Sequence, residues 1–156
     1  MKLSVLCYIT KNGKTLMLHR VKKESDLTNG HYGKWNGLGG KIEPDESPEE
    51  AVIREVFEES GLMIKDPTLK GIITYPSTST DEEWINFIFT TKKFTGKLIE
   101  CNEGDLKWIK TSEIKKLNLW ESDYLFLPLI NKKGIFTAKI TYKKGKVISS
   151  IINKYK

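Results

Sequence analysis

Two apolar-rich runs, Leu3–Ile9 and Thr15–Arg20, flank the dipeptide Asn12-Gly13. Strand-like runs joined by Asn-Gly predict a β-hairpin, because both turn residues tolerate positive φ. Glu24–Lys34 is polar, contains glycine and reads as a loop; Trp35–Lys41 reads as a short glycine-rich strand or turn. The clearest helix is Pro48–Ser60, with Ser47 as N-cap, Pro48 at the first position, Glu50 completing a capping box and Gly61 as the stop. Leu69–Tyr75, Trp84–Phe94 and Asp105–Lys110 read as strands. Ser112–Leu117 reads as a short helix capped by Thr111 or Ser112. Asp123–Asn131 reads as an amphipathic helix with Leu125, Phe126, Leu129 and Ile130 inward and Pro128 shaping it. Ile135–Tyr142 and Lys146–Ile152 form a final hairpin across Gly145. Strands and helices interleave, which predicts an α/β (α+β) fold: a mixed β-sheet sandwiched between α-helices.

Composition narrows the class without fixing the activity. A chain of 156 residues is expected to form one domain spanning 1–156 with a core of its own. At 38% hydrophobic and 29% charged residues it belongs with folded rather than disordered proteins. No repeat, low-complexity block or linker divides it. The balance of 26 basic against 20 acidic residues favours an anionic partner, with nucleotide, nucleic acid and membrane surface all open, or else a lysine-rich solvated surface. Cys7 and Cys101 lie far apart and outside any paired motif, so a disulfide framework and a zinc site are both disfavoured; buried free thiols in a reducing compartment fit better. The N-terminus lacks a signal-like apolar stretch and no run is long enough to span a bilayer, so the expected location is cytoplasmic, with no membrane association.

The Pro48–Ser60 helix concentrates acid. At about 100° per residue, Glu58 and Glu59 fall within roughly 60° of Glu55, whereas Ile53, Val56 and Phe57 form the apolar side. Like charges at this spacing cost a few tenths of a kcal/mol per pair, about what a hard divalent cation would offset. The alternative is a solvated acidic face with an ordinary Arg54–Glu58 pair. The spacing alone does not separate the two.

The longer segment does. Gly40-Lys41-Ile42-Glu43-Pro44-Asp45-Glu46, seven further residues, and Arg54-Glu55-Val56-Phe57-Glu58-Glu59-Ser60-Gly61-Leu62 resemble the Nudix box, Gly-x5-Glu-x7-Arg-Glu-U-x-Glu-Glu-x-Gly-U, at all nine defined positions. The resemblance implies a hydrolase acting at a nucleoside diphosphate linkage with Mg²⁺, or Mn²⁺ in its place. It implies Glu55, Glu58 and Glu59 as metal ligands, joined by the Gly39 carbonyl and by Glu103 from a separate loop. Arg54 would orient the glutamates, Glu46 brace the loop, and Arg20 and Lys41 face phosphates. Trp35-Asn36-Gly37-Leu38-Gly39-Gly40-Lys41 and Trp120-Glu121-Ser122-Asp123-Tyr124 further resemble the MutT-type branch that sanitises oxidised purine nucleotides. That resemblance implies Asn36 and Asp123 reading the purine edge and Trp120 as stacking wall, with Trp84 and Tyr75 opposite. The expected substrate is 8-oxo-dGTP, cleaved to monophosphate and pyrophosphate in nucleotide-pool sanitation, a form of DNA repair. Two positions depart from the mammalian pattern: Ser122-Asp123 stands where two aspartates are found, and Val5, next to Ser4, stands where a hydroxylic residue is found. The alternatives are a Nudix enzyme for ADP-ribose, a dinucleoside polyphosphate or capped RNA, or a non-catalytic nucleotide- or nucleic-acid-binding module. The expected partner is a small nucleotide rather than a stably bound nucleic acid, and the chain is expected to be a monomer or homodimer.

Overall fold

A computed structural model describes residues 1–77 and 82–156. The first hairpin pairs β1 (Lys2–Lys11) with β2 (Lys14–His19) across Asn12 and Gly13, whose φ values of 51° and 75° are those the two-residue turn requires. After the single helical turn α1 (Asp26–Asn29) come β3 (Trp35–Asn36), β4 (Leu38–Lys41) and α2 (Pro48–Ser60). Then follow β5 (Met63–Lys65), β6 (Thr68–Tyr75), β7 (Trp84–Thr91), β8 (Lys93–Thr95) and β9 (Asp105–Lys110). A 3-10 turn (Thr111–Lys116), α3 (Glu121–Phe126) and a second 3-10 turn (Leu127–Leu129) lead to β10 (Ile135–Lys143) and β11 (Lys146–Tyr155).

The main sheet runs β11-β10-β6-β7-β1-β2-β3, with β4 also on β1 and β9 also on β2. It is mixed: β1 runs parallel to β7, and β10 parallel to β6, while the other pairs are antiparallel. Gly71 lets β10 dock closely, because a Cβ there would lie 2.2 Å from the Phe136 ring. Each face of the sheet has its own core. Val5, Cys7, Leu16, Leu18, Leu38 and Phe89 pack with Ala51, Val52 and Val56 of α2. Tyr8, Met17, Ile73, Ile88, Phe136 and Ile140 pack with Phe126 of α3. A sheet between helices is therefore what the chain forms, and both cysteines are buried and free.

Helix α2 has the bounds its caps predict: the Ser47 hydroxyl accepts from the Glu50 N–H at 3.1 Å, and Gly61 closes it at φ 78°. Its buried side is rotated from the expected one. Ala51, Val52 and Val56 face the core while Phe57 is 49% exposed, because the helix lies on glycine-rich β4, a packing that also draws Glu59 inward. The expected helix Asp123–Asn131 begins instead at Glu121 and gives way to a 3-10 turn at Leu127, since Pro128 has no N–H to continue it; Leu125 is exposed. The 3-10 turn at Thr111 has no side-chain cap, and the Thr111 hydroxyl bonds Thr15 instead. The expected strand Trp84–Phe94 is divided between β7 and β8, and the loop Glu24–Lys34 contains α1.

Candidate active site

Helix α2 and strand β4 bring the acidic residues together around one arginine. Arg54 donates to Glu46 at 2.7 and 2.9 Å, to Glu55 at 2.9 Å, to Glu58 at 3.2 Å and to the Lys41 carbonyl at 3.0 Å. Glu46 in turn accepts from the Glu43 N–H at 2.8 Å, which fastens the loop before the helix. These bonds hold the Glu46 carboxyl below the ordinary range, with Arg54 the main cause. Burial pushes Glu55 up and Arg54 works against that. A Cβ on Gly40 would lie 2.6 Å from the Glu55 carboxylate, so glycine is needed for that approach. Glu58 reaches solvent beyond Arg54, with its side chain 55% exposed.

Glu59 turns the other way, into the protein, and accepts from the Gly39 N–H at 2.8 Å. The loop before β9 carries Glu103 to it. Burial, with the hydrogen bond and charge of Glu103, pushes Glu59 far above the ordinary carboxylate range. The Glu59 hydroxyl, reinforced by Lys23, holds Glu103 below it. Glu103 also accepts from Lys23 Nζ at 2.6 Å. The donors at this spot are oxygens of hard character, and two carboxyls meet there. Both observations fit a hard divalent cation held by Glu55, Glu58, Glu59, Glu103 and the Gly39 carbonyl. Among the described residues no three acidic side chains already form a closed cage.

Beside the acids lies a cavity of about 730 Å³, whose lining includes Glu59, Asn36, Tyr75, Trp84, Trp120 and Asp123. Five residues expected to read a base, drawn from four separate stretches of sequence, therefore share one space. Asp123 is 7% exposed, and burial pushes its carboxyl up to about 7. The Tyr75 hydroxyl lies 3.1 Å from the Ser122 hydroxyl, and the Ser122 N–H donates to the Tyr142 hydroxyl at 2.7 Å. Trp120 meets His31 edge-on at 5.1 Å and lies under the Lys34 ammonium at 5.2 Å.

Two basic residues have partners within the chain. Arg20 lines the cavity, but its guanidinium is bound to buried Asp26 at 3.0 and 2.9 Å, which holds that carboxyl below its ordinary value even though burial acts to raise it. Lys41 is not among the cavity-lining residues; its ammonium sits 5.9 Å over the Trp84 ring. The departure seen at Val5 also changes meaning. Val5 is packed in the α2-side core and also lines the cavity beside Ser4, whose hydroxyl donates to Asn86 Oδ1 at 3.1 Å, so a hydroxyl is present there. Asn86, His31 and Tyr142 were missed. Asn86 lies two residues from Trp84 on the same face of β7, which alternation could have shown; His31 and Tyr142 reach the cavity only through tertiary packing.

The model of the NUDIX domain matches residues 1–130. An uncharacterized Nudix hydrolase, YvcI, of Bacillus subtilis is 32% identical over 141 residues, 87% of this chain and 84% of the relative. The oxidized purine nucleoside triphosphate hydrolase of Danio rerio is 32% identical over 116 residues, 74% of each chain. Its counterpart of the same name in Mus musculus is 30% identical over 118 residues, 76% of each. A crystal structure of a MutT protein from Bacillus halodurans superposes with a TM-score of 0.86 at 24% identity, covering 98% of both chains, which shows a common fold. Among the described residues no helix is long and apolar enough to cross a membrane. With its family match over most of the chain and the acidic α2–β4 site in place, the chain belongs to the NUDIX family and is a Nudix hydrolase.

Proposed function

We propose that the chain, acting as one domain over residues 1–156 in the cytoplasm, hydrolyses a purine (deoxy)nucleoside triphosphate with Mg²⁺. The substrate is 8-oxo-dGTP, and the products are the monophosphate and pyrophosphate. The observation that carries this reading is that Asn36, Trp120 and Asp123 line the same cavity as Glu59. The names of the zebrafish and mouse relatives point the same way.

A pyrophosphate bridge resists water because it is polyanionic; a bound Mg²⁺ supplies the charge neutralisation and water activation that the linkage needs. The chain's own groups do the rest. Glu55, Glu58, Glu59, Glu103 and the Gly39 carbonyl would hold the ion, and Arg54 fixes the rotamers of Glu55 and Glu58. A carboxylate of this cluster would take the proton from the attacking water. Trp120 stacks on the base, a contact worth about 1–3 kcal/mol. Asn36 offers both donor and acceptor to the purine edge. Asp123 donates while protonated and accepts once ionised, and its value of about 7 makes both forms available near neutrality.

The test is a pyrophosphate-release screen with Mg²⁺ across oxidised and normal (d)NTPs, ADP-ribose and dinucleoside polyphosphates. The expected result is the highest kcat/KM for 8-oxo-dGTP and lost turnover in Glu58→Gln with an unchanged melting temperature. A preference for ADP-ribose or a dinucleoside polyphosphate would overturn the substrate; near wild-type turnover in Glu58→Gln would overturn the mechanism.

A further inference from the structure

Two adjacent lysines after β2 grip the loop that carries Glu103. Lys22 Nζ donates to the Cys101 carbonyl at 3.0 Å and to Glu100 Oε1 at 3.4 Å, and lies 3.7 Å from Asp105 Oδ1. These contacts bracket Glu103 on both sides. Lys23 Nζ instead donates to Glu103 Oε1 at 2.6 Å, and Glu103 is the partner of buried Glu59. The two lysines therefore hold different things, one the loop and the other the carboxylate. The Lys23 side chain is 45% exposed and that of Glu103 27%. A lysine head on a flexible four-carbon stem can leave for solvent while the carboxylate stays.

We propose that Lys23 is the resident counter-ion of the Glu59–Glu103 pair in the metal-free protein, displaced when a divalent cation binds, and that Lys22 is a positioning residue that keeps Glu103 at the site in both states. The proposal rests on the reading of Glu59 and Glu103 as metal ligands. It gives the two lysines opposite effects on metal affinity. Lys23 competes with the ion for the same carboxylate, so removing it tightens binding. Lys22 preorganises the loop, so removing it weakens binding. A general field effect would act with one sign, since either substitution deletes one positive charge close to the acids. A purely structural role for Lys23 would weaken binding rather than tighten it.

The experiment measures Mn²⁺ binding to the metal-free full chain by calorimetry or electron paramagnetic resonance, for wild type, Lys23→Met, Lys23→Arg, Lys22→Met and Glu103→Gln. Lys23→Met is expected to bind Mn²⁺ about fivefold more tightly, the factor that loss of a half-exposed ion pair produces. Its metal-free form melts below wild type and its Mn²⁺-saturated form does not. Lys23→Arg keeps the wild-type affinity, and Lys22→Met binds more weakly. Unchanged or weaker binding in Lys23→Met, or tighter binding in Lys22→Met, overturns the proposal. Circular dichroism of each metal-free variant checks that the fold persists, and Lys23→Arg against Lys23→Met still decides the matter if Lys22→Met does not fold. Unchanged affinity in Glu103→Gln refutes the underlying ligand reading instead, so the two failures are distinguishable.

Discussion

Replacing Asp123 with asparagine should make stability respond differently to pH. In the folded chain the carboxyl is almost fully buried, and burial raises it to about 7 from an ordinary 3.8; hydrogen bonds from Ser122 and Trp120 and the distant charge of Lys34 only partly oppose this. Because the folded value lies above the unfolded one, the folded state binds the proton more tightly between the two. Stability contributed by this group is therefore full at acid pH, falls as pH rises through that interval, and levels off above about 7. At ~1.4 kcal/mol per pH unit the interval amounts to on the order of 4 kcal/mol, an upper figure because water entering the cavity screens the ionised form. Asparagine keeps the shape and an acceptor oxygen but has nothing to ionise. Urea unfolding of wild type and Asp123→Asn at about pH 4 and about pH 8 isolates the effect, since Glu59 and the other titrating groups cancel in the difference. The variant should gain several kcal/mol relative to wild type between the two conditions. Parallel stability curves for the two proteins would refute the claim that burial raises the Asp123 carboxyl.

Two substitutions probe the α2–β4 junction. Gly40→Ala places a methyl 2.6 Å from the Glu55 carboxylate. It should keep the native circular dichroism while reducing kcat/KM by about 10²-fold, the scale of a misplaced reacting group; undiminished activity would show that Glu55 does not need that approach. Ser47→Ala removes the N-cap bond to Glu50 and should cost about 1 kcal/mol, or roughly 2–4 °C in melting temperature, with kcat unaltered. No shift in melting would mean that the cap contributes nothing here.

Local signals in the sequence carried the elements whose ends are chemically marked. The Asn12-Gly13 turn appears where expected and the Ser47-to-Gly61 helix with the expected bounds, because turns and caps are decided by neighbouring residues. The box motif located the acids for the same reason, since Glu55, Glu58 and Glu59 share a helix. What local pattern missed is what packing decides. Phe57 looked like a core residue by periodicity but was displaced when β4 accepted the smaller Ala51 and Val52 side of the helix. The partner of Arg20, Asp26, lies on a helical turn that no pattern announced. His31 and Tyr142 enter the cavity from segments 111 residues apart, a distance across which periodicity carries no information.

The β10–β11 hairpin lies beyond the stretch matched by the NUDIX model, yet it fastens one wall of the cavity. Tyr142 accepts from the Ser122 N–H, and the Val147 N–H donates to Glu121 at 2.9 Å, so both ends of the hairpin's turn hold the first turn of α3. Any fluctuation that undocks the hairpin also releases Ser122 and Asp123. A nucleotide bound against those residues consequently disfavours that opening by the factor 1 + [L]/Kd. Amide hydrogens in β10 and β11, none of which need touch the nucleotide, should exchange more slowly in proportion, so occupancy of the cavity is readable as a change of rate at the far edge of the sheet.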